Sequence, residues 1–503
     1  MCAVSMNAAC QSWLENRKGK VMKSFLVIDN ENRTSTSGKP FERFNPVDGQ
    51  LVSTHESAGT KEAIAAVKSC ANAFSAWAAT GPSYKRDILL NAARLMEERI
   101  EELTQMMVVE TGASKAWAGF NAHLAPSMLR EAAGLTTQIK GEVIPADKPG
   151  MFSMALRRPA GVVVAIAPWN APIILAVRAI CTALACGNTV VLKASELSAG
   201  TQYLLARIMI DAGLPPGVLN FITNAATDSA DVAEAMISQP EVRRVNFTGS
   251  TRTGRLVAAT CAKYLKPVLL ELGGKAPMLV LADADIDHAV RAAAFGAYMH
   301  QGQICMSTER IVIDESIADE FASKLAIKAR TLLAAPPNEG SAPLGSLVDM
   351  RSADRVEALI ADAVSKGAVL HTQGHRSGTL LGASLLDHVT ADMQIYHEES
   401  FGPVTCMVRV KGIDQAVQVA NDTEYGLSSA IFTKDVSLAL KLAQRLDFGC
   451  CHINGPTVYD EAQMPLGGMK ASGYGRFGGL PGVHEFTEVQ WVTIEDPAQH
   501  YPI

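Results

Sequence analysis

The sequence predicts an α/β protein built on parallel sheets covered by helices, and three observations carry that prediction. Gly161-Val-Val-Val-Ala-Ile-Ala167 is an unbroken, largely β-branched run, the composition of a strand buried on both faces. Thr189–Leu192, Val218–Ile222, Val242–Phe247 and Val268–Leu272 repeat the pattern at intervals that leave room for helices between them. The chain has 503 residues, 48% hydrophobic and 19% charged, enough for two or three well-cored domains and too apolar for disorder.

The elements follow in order. Met1–Val21 lacks the apolar core of a secretion signal, and its basic cluster (Arg17, Lys18, Lys20) follows the apolar residues instead of preceding them. It reads as a disordered extension, with Met22 a second candidate start. Lys23–Ile28 is a first strand. From Lys61, the residues Ile64, Val67, Ala71, Phe74 and Trp77 recur at three- and four-residue steps and predict an amphipathic helix. More helix runs through Ile88–Thr111. A second α/β series begins near Pro277 with the strand Met278–Leu281, the helix Ile286–Met299, the strand Arg310–Ile313 and the helix Ile317–Leu333. Leu272-Gly-Gly-Lys275 between the two series reads as a flexible joint. Gly141–Arg158 and Phe486–Ile494 read as extended, isolated segments that need strand partners from elsewhere in the fold or from another subunit.

Composition excludes several functions. Forty-five basic against 51 acidic residues give a net charge of −6, so no basic excess favours nucleic acid or an anionic membrane. No apolar run approaches the roughly 20 residues of a membrane helix. The ten cysteines show no C-x-x-C spacing and no disulfide framework, which fits a reducing, cytoplasmic setting and predicts no metal site.

Six short segments carry chemistry. Cys305, in Gln301-Gly-Gln-Ile-Cys305, follows a glycine-containing turn where a thiol can be exposed, although most lone cysteines are simply packed. Glu271 ends an apolar strand; a carboxylate there tends to a raised pKa and suits a general base, or else forms a structural ion pair. Asn170, in Pro168-Trp-Asn170, sits at a strand's carboxyl end, where its amide could donate to a developing oxyanion or merely shape a turn. Gly249-Ser-Thr-Arg-Thr-Gly254 offers free N–H groups to a pyrophosphate. Lys193 and Glu196 end another strand, where a carboxylate could accept both hydroxyls of an adenosine ribose and favour NAD over its 2′-phosphate relative; the bland alternative is a surface pair. Glu399-Ser-Phe-Gly-Pro403 is the sixth.

Taken along the chain, as Pro168–Asn170, Lys193–Glu196, Gly249–Gly254, Glu271–Gly274, Gly302–Cys305 and Glu399–Pro403, the six segments resemble in order and spacing the NAD(P)-dependent aldehyde dehydrogenase superfamily, from about Phe25 to Ile494. The resemblance implies the aldehyde dehydrogenase fold: a Rossmann-like nucleotide domain (22–140 and 161–272), an α/β catalytic domain (273–485) and an oligomerisation β-hairpin (141–160) joined by a strand and tail (486–503). It implies Cys305 as nucleophile, Glu271 as base for the deacylating water, and Asn170 with the Cys305 backbone N–H as oxyanion hole. Lys193 and Glu196 would hold the adenosine ribose, Gly249 and Ser250 the pyrophosphate, and Glu399 the nicotinamide ribose, with Ile166, Trp169 and Phe401 bordering the cofactor. A homodimer or a dimer of dimers is implied as well.

Trp117-Ala-Gly-Phe-Asn121, Ile304-Cys-Met-Ser-Thr-Glu-Arg310, His452-Ile-Asn-Gly455 and Glu461-Ala-Gln463 resemble the aromatic-aldehyde branch, salicylaldehyde dehydrogenases above all, with vanillin and benzaldehyde enzymes nearby. That likeness implies a substrate tunnel bordered by Trp117, Arg178, Ile304, Met306 and Leu466. Trp117 offers a face to an aryl ring, or packs its helix; Arg178 could orient a ring hydroxyl, or form a salt bridge. Ala171 after the asparagine leaves room for a ring. Leu466 stands where salicylaldehyde enzymes are expected to carry tyrosine, so a hydroxyl is missing. The rivals are a semialdehyde dehydrogenase using Arg178 for a carboxylate, an acylating coenzyme A-dependent enzyme, and a non-catalytic protein on the same fold. The presence of Glu271 speaks against the second, and the set of Cys305, Glu271 and Asn170 against the third.

Overall fold

The buried β-branched strands form the middle of an eight-stranded sheet. In spatial order it runs Gly473–Tyr474, Val268–Glu271, Val242–Thr248, Val162–Ile166, Thr189–Lys193, Leu219–Ile222, Leu26–Ile28 and Glu31–Arg33, with the five central strands parallel. This computed structural model describes residues 21–36, 38–337 and 342–495, with residues 497 and 503. The expected N-terminal extension therefore lies outside the described residues except for Val21.

From Val162–Ile166 the chain builds outward to Leu219–Ile222, then returns to lay Val242–Thr248 and Val268–Glu271 on the other side. The strand order thus reverses beside Val162–Ile166, which opens a crevice at the strands' carboxyl ends. Asn170, Gly249–Ser250 and Glu271 all follow or end strands at that crevice.

A seven-stranded sheet has the order Val369–Thr372, Ser384–Asp387, Val404–Val410, Thr308–Asp314, Ala276–Val280, Ser428–Phe432 and Cys450–Ile453, parallel except at its first pair. Cys305, Glu399 and Gly273-Gly274 lie just ahead of its three adjacent strands Thr308–Asp314, Val404–Val410 and Ala276–Val280. The carboxyl ends of one sheet therefore contribute to the same site as the amino ends of the other.

Three sequence expectations change, and a fourth is decided between its two alternatives. Lys23–Ile28 is two strands: Met22–Ser24 pairs with Leu51–His55, and Leu26–Ile28 joins the eight-stranded sheet. Ser24, buried and bonded to His55 Nδ1 at 2.5 Å, ties the first strand away from the second. Ile88–Thr111 is broken at Arg99 (φ −110°, ψ 21°), which ends helix Pro82–Glu98 and begins helix Ile100–Thr111. Its guanidinium bonds Glu102 and Asp211 and fixes the break. Leu272–Lys275 is a packed segment instead of an exposed joint: Lys275 is fully buried, and a Cβ on Gly274 would stand 2.2 Å from the Cys305 carbonyl oxygen. Its glycines serve close approach. Finally, the two extended segments supply each other's partner: Thr487–Ile494 pairs antiparallel with Phe152–Pro159, and Glu142–Val143 adds a third strand.

Glu110 shows how the helices are anchored to the first sheet. Its fully buried carboxylate accepts from the Gly200 and Thr201 N–H groups (2.8 and 2.9 Å) and from Thr201 Oγ1 (2.7 Å), capping helix Ala199–Asp211 just beyond Lys193–Glu196. The nearby His55 ring is held neutral, because burial lowers its pKa to about 3. Glu110→Ala strips the acceptor from these three buried donors and from the Ser53 hydroxyl (3.4 Å), and is expected to cost about 3 kcal/mol in urea unfolding. A loss under about 0.5 kcal/mol, the ordinary surface range, would contradict this account.

Candidate active site

Cys305 owes its position to the turn Met299–Gly302. His300 and Gln301 adopt left-handed backbone (φ 51° and 55°), and Gly302 follows at φ 71°, where a Cβ would lie 2.0 Å from the Gly402 carbonyl oxygen. Gln301 Nε2 donates to the Ser346 carbonyl (2.8 Å), and Gln303 Oε1 accepts from the Val348 N–H (3.0 Å). The turn is thereby clamped, and Cys305 is left partly exposed just ahead of strand Thr308–Asp314.

Two cavities meet at this thiol. One, of about 300 Å³, is bordered by Trp169, Gly249, Ser250, Gly273, Glu399 and Phe401. The other, of about 260 Å³, is bordered by Trp117, Ile174, Phe295, Ile304, Val458 and Leu466, among others. Asn170, Leu175, Thr248, Glu271 and Cys305 border both. Three residues singled out for chemistry thus stand together on the shared wall.

Asn170 Nδ2 donates one hydrogen to the Gln303 carbonyl at 2.9 Å. A primary amide carries a second, which can serve the shared cavity. The Asn170 backbone carbonyl accepts from the Trp117 indole N–H, also at 2.9 Å. Glu271 is almost fully buried, and burial raises its carboxyl to about 7, against the pull of Arg178. Burial also pushes the Cys305 thiol well above its ordinary value, with Glu271 and Glu399 adding to the rise. A thiol raised in this way needs a proton acceptor before it can act as a nucleophile. Glu399 is raised to about 7 by burial as well, and its Oε1 accepts from the Gly274 N–H at 2.8 Å.

The expected cofactor residues divide. Trp169, Gly249, Ser250, Glu399 and Phe401 border the first cavity, with the Trp169 and Phe401 rings edge-on at 5.9 Å. Ser250 caps helix Thr251–Lys263, its Oγ accepting from the Thr253 N–H. Ile166, Lys193 and Glu196 do not border that cavity; Ile166 and Lys193 face each other in register at the ends of neighbouring strands. Burial lowers the Lys193 ammonium, with Glu196 opposing.

The expected substrate residues Trp117, Arg178, Ile304, Met306 and Leu466 all border the second cavity. Two of them are already engaged. Trp117 stacks with His300 (5.1 Å, 14°) and Phe120 (5.4 Å, 25°) besides its bond to Asn170. Arg178 Nη2 is ion-paired to Asp460 Oδ2, the salt-bridge alternative of the sequence reading. Phe120, Phe295, Val458, Tyr459 and Asp460 also border this cavity and were not foreseen. The Glu461-Ala-Gln463 motif beside Asp460 was the available signal. Among the described residues, no cluster of His, Cys, Asp or Glu could hold a metal ion, and no helix is long and apolar enough to cross a membrane.

Comparison with known proteins agrees with this geometry. A sequence profile of the aldehyde dehydrogenase family matches residues 33–492. A vanillin dehydrogenase of Pseudomonas fluorescens is 55% identical over 95% of this chain and 99% of the relative. A salicylaldehyde dehydrogenase of Pseudomonas putida is 48% identical over 96% and 100%. The crystal structure of a salicylaldehyde dehydrogenase from Pseudomonas putida G7, complexed with salicylaldehyde, superposes with a TM-score of 0.94 at 46% identity, covering 96% of this chain and 100% of that one. The chain therefore belongs to the aldehyde dehydrogenase family.

Proposed function

We propose that the protein oxidises an aromatic aldehyde of the salicylaldehyde, vanillin or benzaldehyde kind to its carboxylic acid, with NAD as hydride acceptor. The observation that carries this reading is the meeting of two cavities at Cys305, Glu271 and Asn170, one of them walled by aromatic and aliphatic side chains. The relatives named for vanillin and salicylaldehyde support the aromatic class.

The residues of the first cavity fit a dinucleotide. Gly249 and Ser250 stand at the N-terminus of a 13-residue helix, where free N–H groups favour a pyrophosphate, and Glu399 suits a ribose. Ile166, Trp169 and Phe401 would flank this group, while Lys193 and Glu196 would hold the adenosine ribose and disfavour a 2′-phosphate. Bound NAD supplies a two-electron acceptor for hydride.

The chain's own residues do the rest. The Cys305 sulfur attacks the carbonyl carbon as its proton passes to a base, and the Asn170 amide with the Cys305 N–H stabilises the alkoxide, each such donor worth about 3 kcal/mol. Loss of hydride leaves a thioester on Cys305. Glu271 then takes a proton from water, which adds to the thioester and releases the acid and the thiol. Asp460 neutralises Arg178, the one cation among the described residues bordering the second cavity, which weakens the semialdehyde alternative. The three-stranded ribbon exposes Val143, Val489 and Trp491 (73% exposed), which suits an interface with a second copy, in a dimer or a dimer of dimers. A reducing cytoplasm suits an enzyme that depends on a free thiol.

A panel of benzaldehydes, aliphatic aldehydes and semialdehydes, assayed with NAD and with its 2′-phosphate, tests the reading. Aromatic substrates with NAD should lead in kcat/KM by at least about tenfold, a difference of about 1.4 kcal/mol. Leadership by a semialdehyde would overturn the substrate class. The pH dependence provides a second test. Glu271 is a raised acid, protonated and inactive as a base below about 7 and active above it. When thioester hydrolysis limits turnover, kcat should rise through pH about 7 and then level off; a flat profile across that range would show another base at work.

A further inference from the structure

Neither Lys275 nor Glu309 borders either of the two cavities that meet at Cys305, yet they make one of the most deeply buried ion pairs among the described residues. Lys275 Nζ lies 2.7 Å from Glu309 Oε2, with side chains 0% and 3% exposed. A buried pair of this kind is weak evidence of stability, because apolar residues of similar volume often serve as well. Its connections are more informative. Glu309 Oε1 also accepts from the Ser400 N–H (3.0 Å), the Ser400 hydroxyl (2.8 Å) and the Phe401 N–H (3.1 Å). Phe401 holds a left-handed backbone (φ 43°), a conformation that a bulky residue keeps only when its surroundings enforce it. On the other side, Lys275 follows Gly273 and Gly274, and the Gly274 N–H donates to Glu399. One carboxylate therefore ties together the two segments that bring Gly273, Glu399 and Phe401 to the first cavity.

We propose that Lys275 and Glu309 are a positioning pair that holds the Glu399–Phe401 turn in its strained form and thereby sets the affinity for the dinucleotide. This rests on the reading that Glu399 and Phe401 border NAD. The acceptor oxygens of Glu309 are the active element, and Lys275 fixes them and offsets their burial. The pair acts on cofactor binding and leaves the aldehyde cavity and the Cys305 thiol as they are.

Two double variants separate acceptor from charge without leaving one buried charge alone. Lys275→Met/Glu309→Leu removes both charges and the acceptor; Lys275→Met/Glu309→Gln removes the charges and keeps an acceptor oxygen. The dissociation constant of NAD, measured by calorimetry without aldehyde, should rise about tenfold in the first and stay within about threefold in the second. The KM for aldehyde and the rate of Cys305 alkylation by iodoacetamide should stay near wild type in both. Normal NAD affinity in the leucine variant overturns the proposal, as does equal weakening in both variants or a parallel loss of thiol reactivity. Should the leucine variant not fold, Ser400→Ala carries the test: it deletes one donor to Glu309 and should weaken NAD about threefold, and unchanged affinity overturns the proposal. Glu399→Gln is the control for the underlying reading. If it leaves NAD affinity unaltered, the assignment of the cavity fails; if it weakens NAD while the leucine variant does not, only the positioning role fails.

Discussion

The active centre depends on one close approach. Gly274 lets the first strand of the second α/β series pass within contact of the Cys305 carbonyl, where a Cβ would stand 2.2 Å from the oxygen. Glu271 ends the last parallel strand of the eight-stranded sheet only three residues earlier, so the passage from that carboxylate to the sheet that carries Cys305 is nearly as short as the chain allows. Any side chain at Gly274 would push the two sheets apart where carboxylate and thiol must share a cavity wall. The Gly249 N–H bond to the Glu271 carbonyl (3.0 Å) ties the turn that opens helix Thr251–Lys263 to the same point.

Burial then sets the electrostatics. Glu271 and Glu399 are both held near 7 by desolvation, and the thiol between the two cavities is pushed up by the same cause. The two carboxyls of such a site titrate near neutrality and respond strongly to any charge placed beside them, because the surrounding dielectric is low. Arg178 does not discharge that role alone, since Asp460 already pairs it. Control of protonation thus falls mainly to burial and to what enters the cavities.

Much of this was legible in the sequence. The β-branched run Gly161–Ala167 and its four successors gave the parallel sheet, and the reversal of strand order explains why Asn170, Gly249 and Glu271, far apart in sequence, converge. The ordered motifs pointed to Cys305 and Glu399, which do border the first cavity, although they lie at the amino ends of strands in the other sheet, a place that the carboxyl-end rule for open sheets does not anticipate. What stayed hidden depended on tertiary partners. Nothing local to Trp117 shows that its N–H serves Asn170, or local to Arg178 that Asp460 lies in reach across 282 residues. The glycines of Leu272–Lys275 read as flexible because a sequence reveals missing side chains without revealing what occupies their place. The split of Lys23–Ile28 turned likewise on a distant group, the His55 ring.

The central claim is that Cys305 becomes acylated and Glu271 clears it. The most direct measurement is the mass of the peptide carrying Cys305 from Glu271→Gln enzyme quenched after mixing with NAD and an aromatic aldehyde. Glutamine keeps the shape of the side chain but takes no proton from water, so hydrolysis should slow by about 10²–10⁴-fold and the acyl group should be found on Cys305 after a burst of reduced cofactor. An unmodified Cys305 peptide in an enzyme that still turns over at the full steady rate would contradict the account.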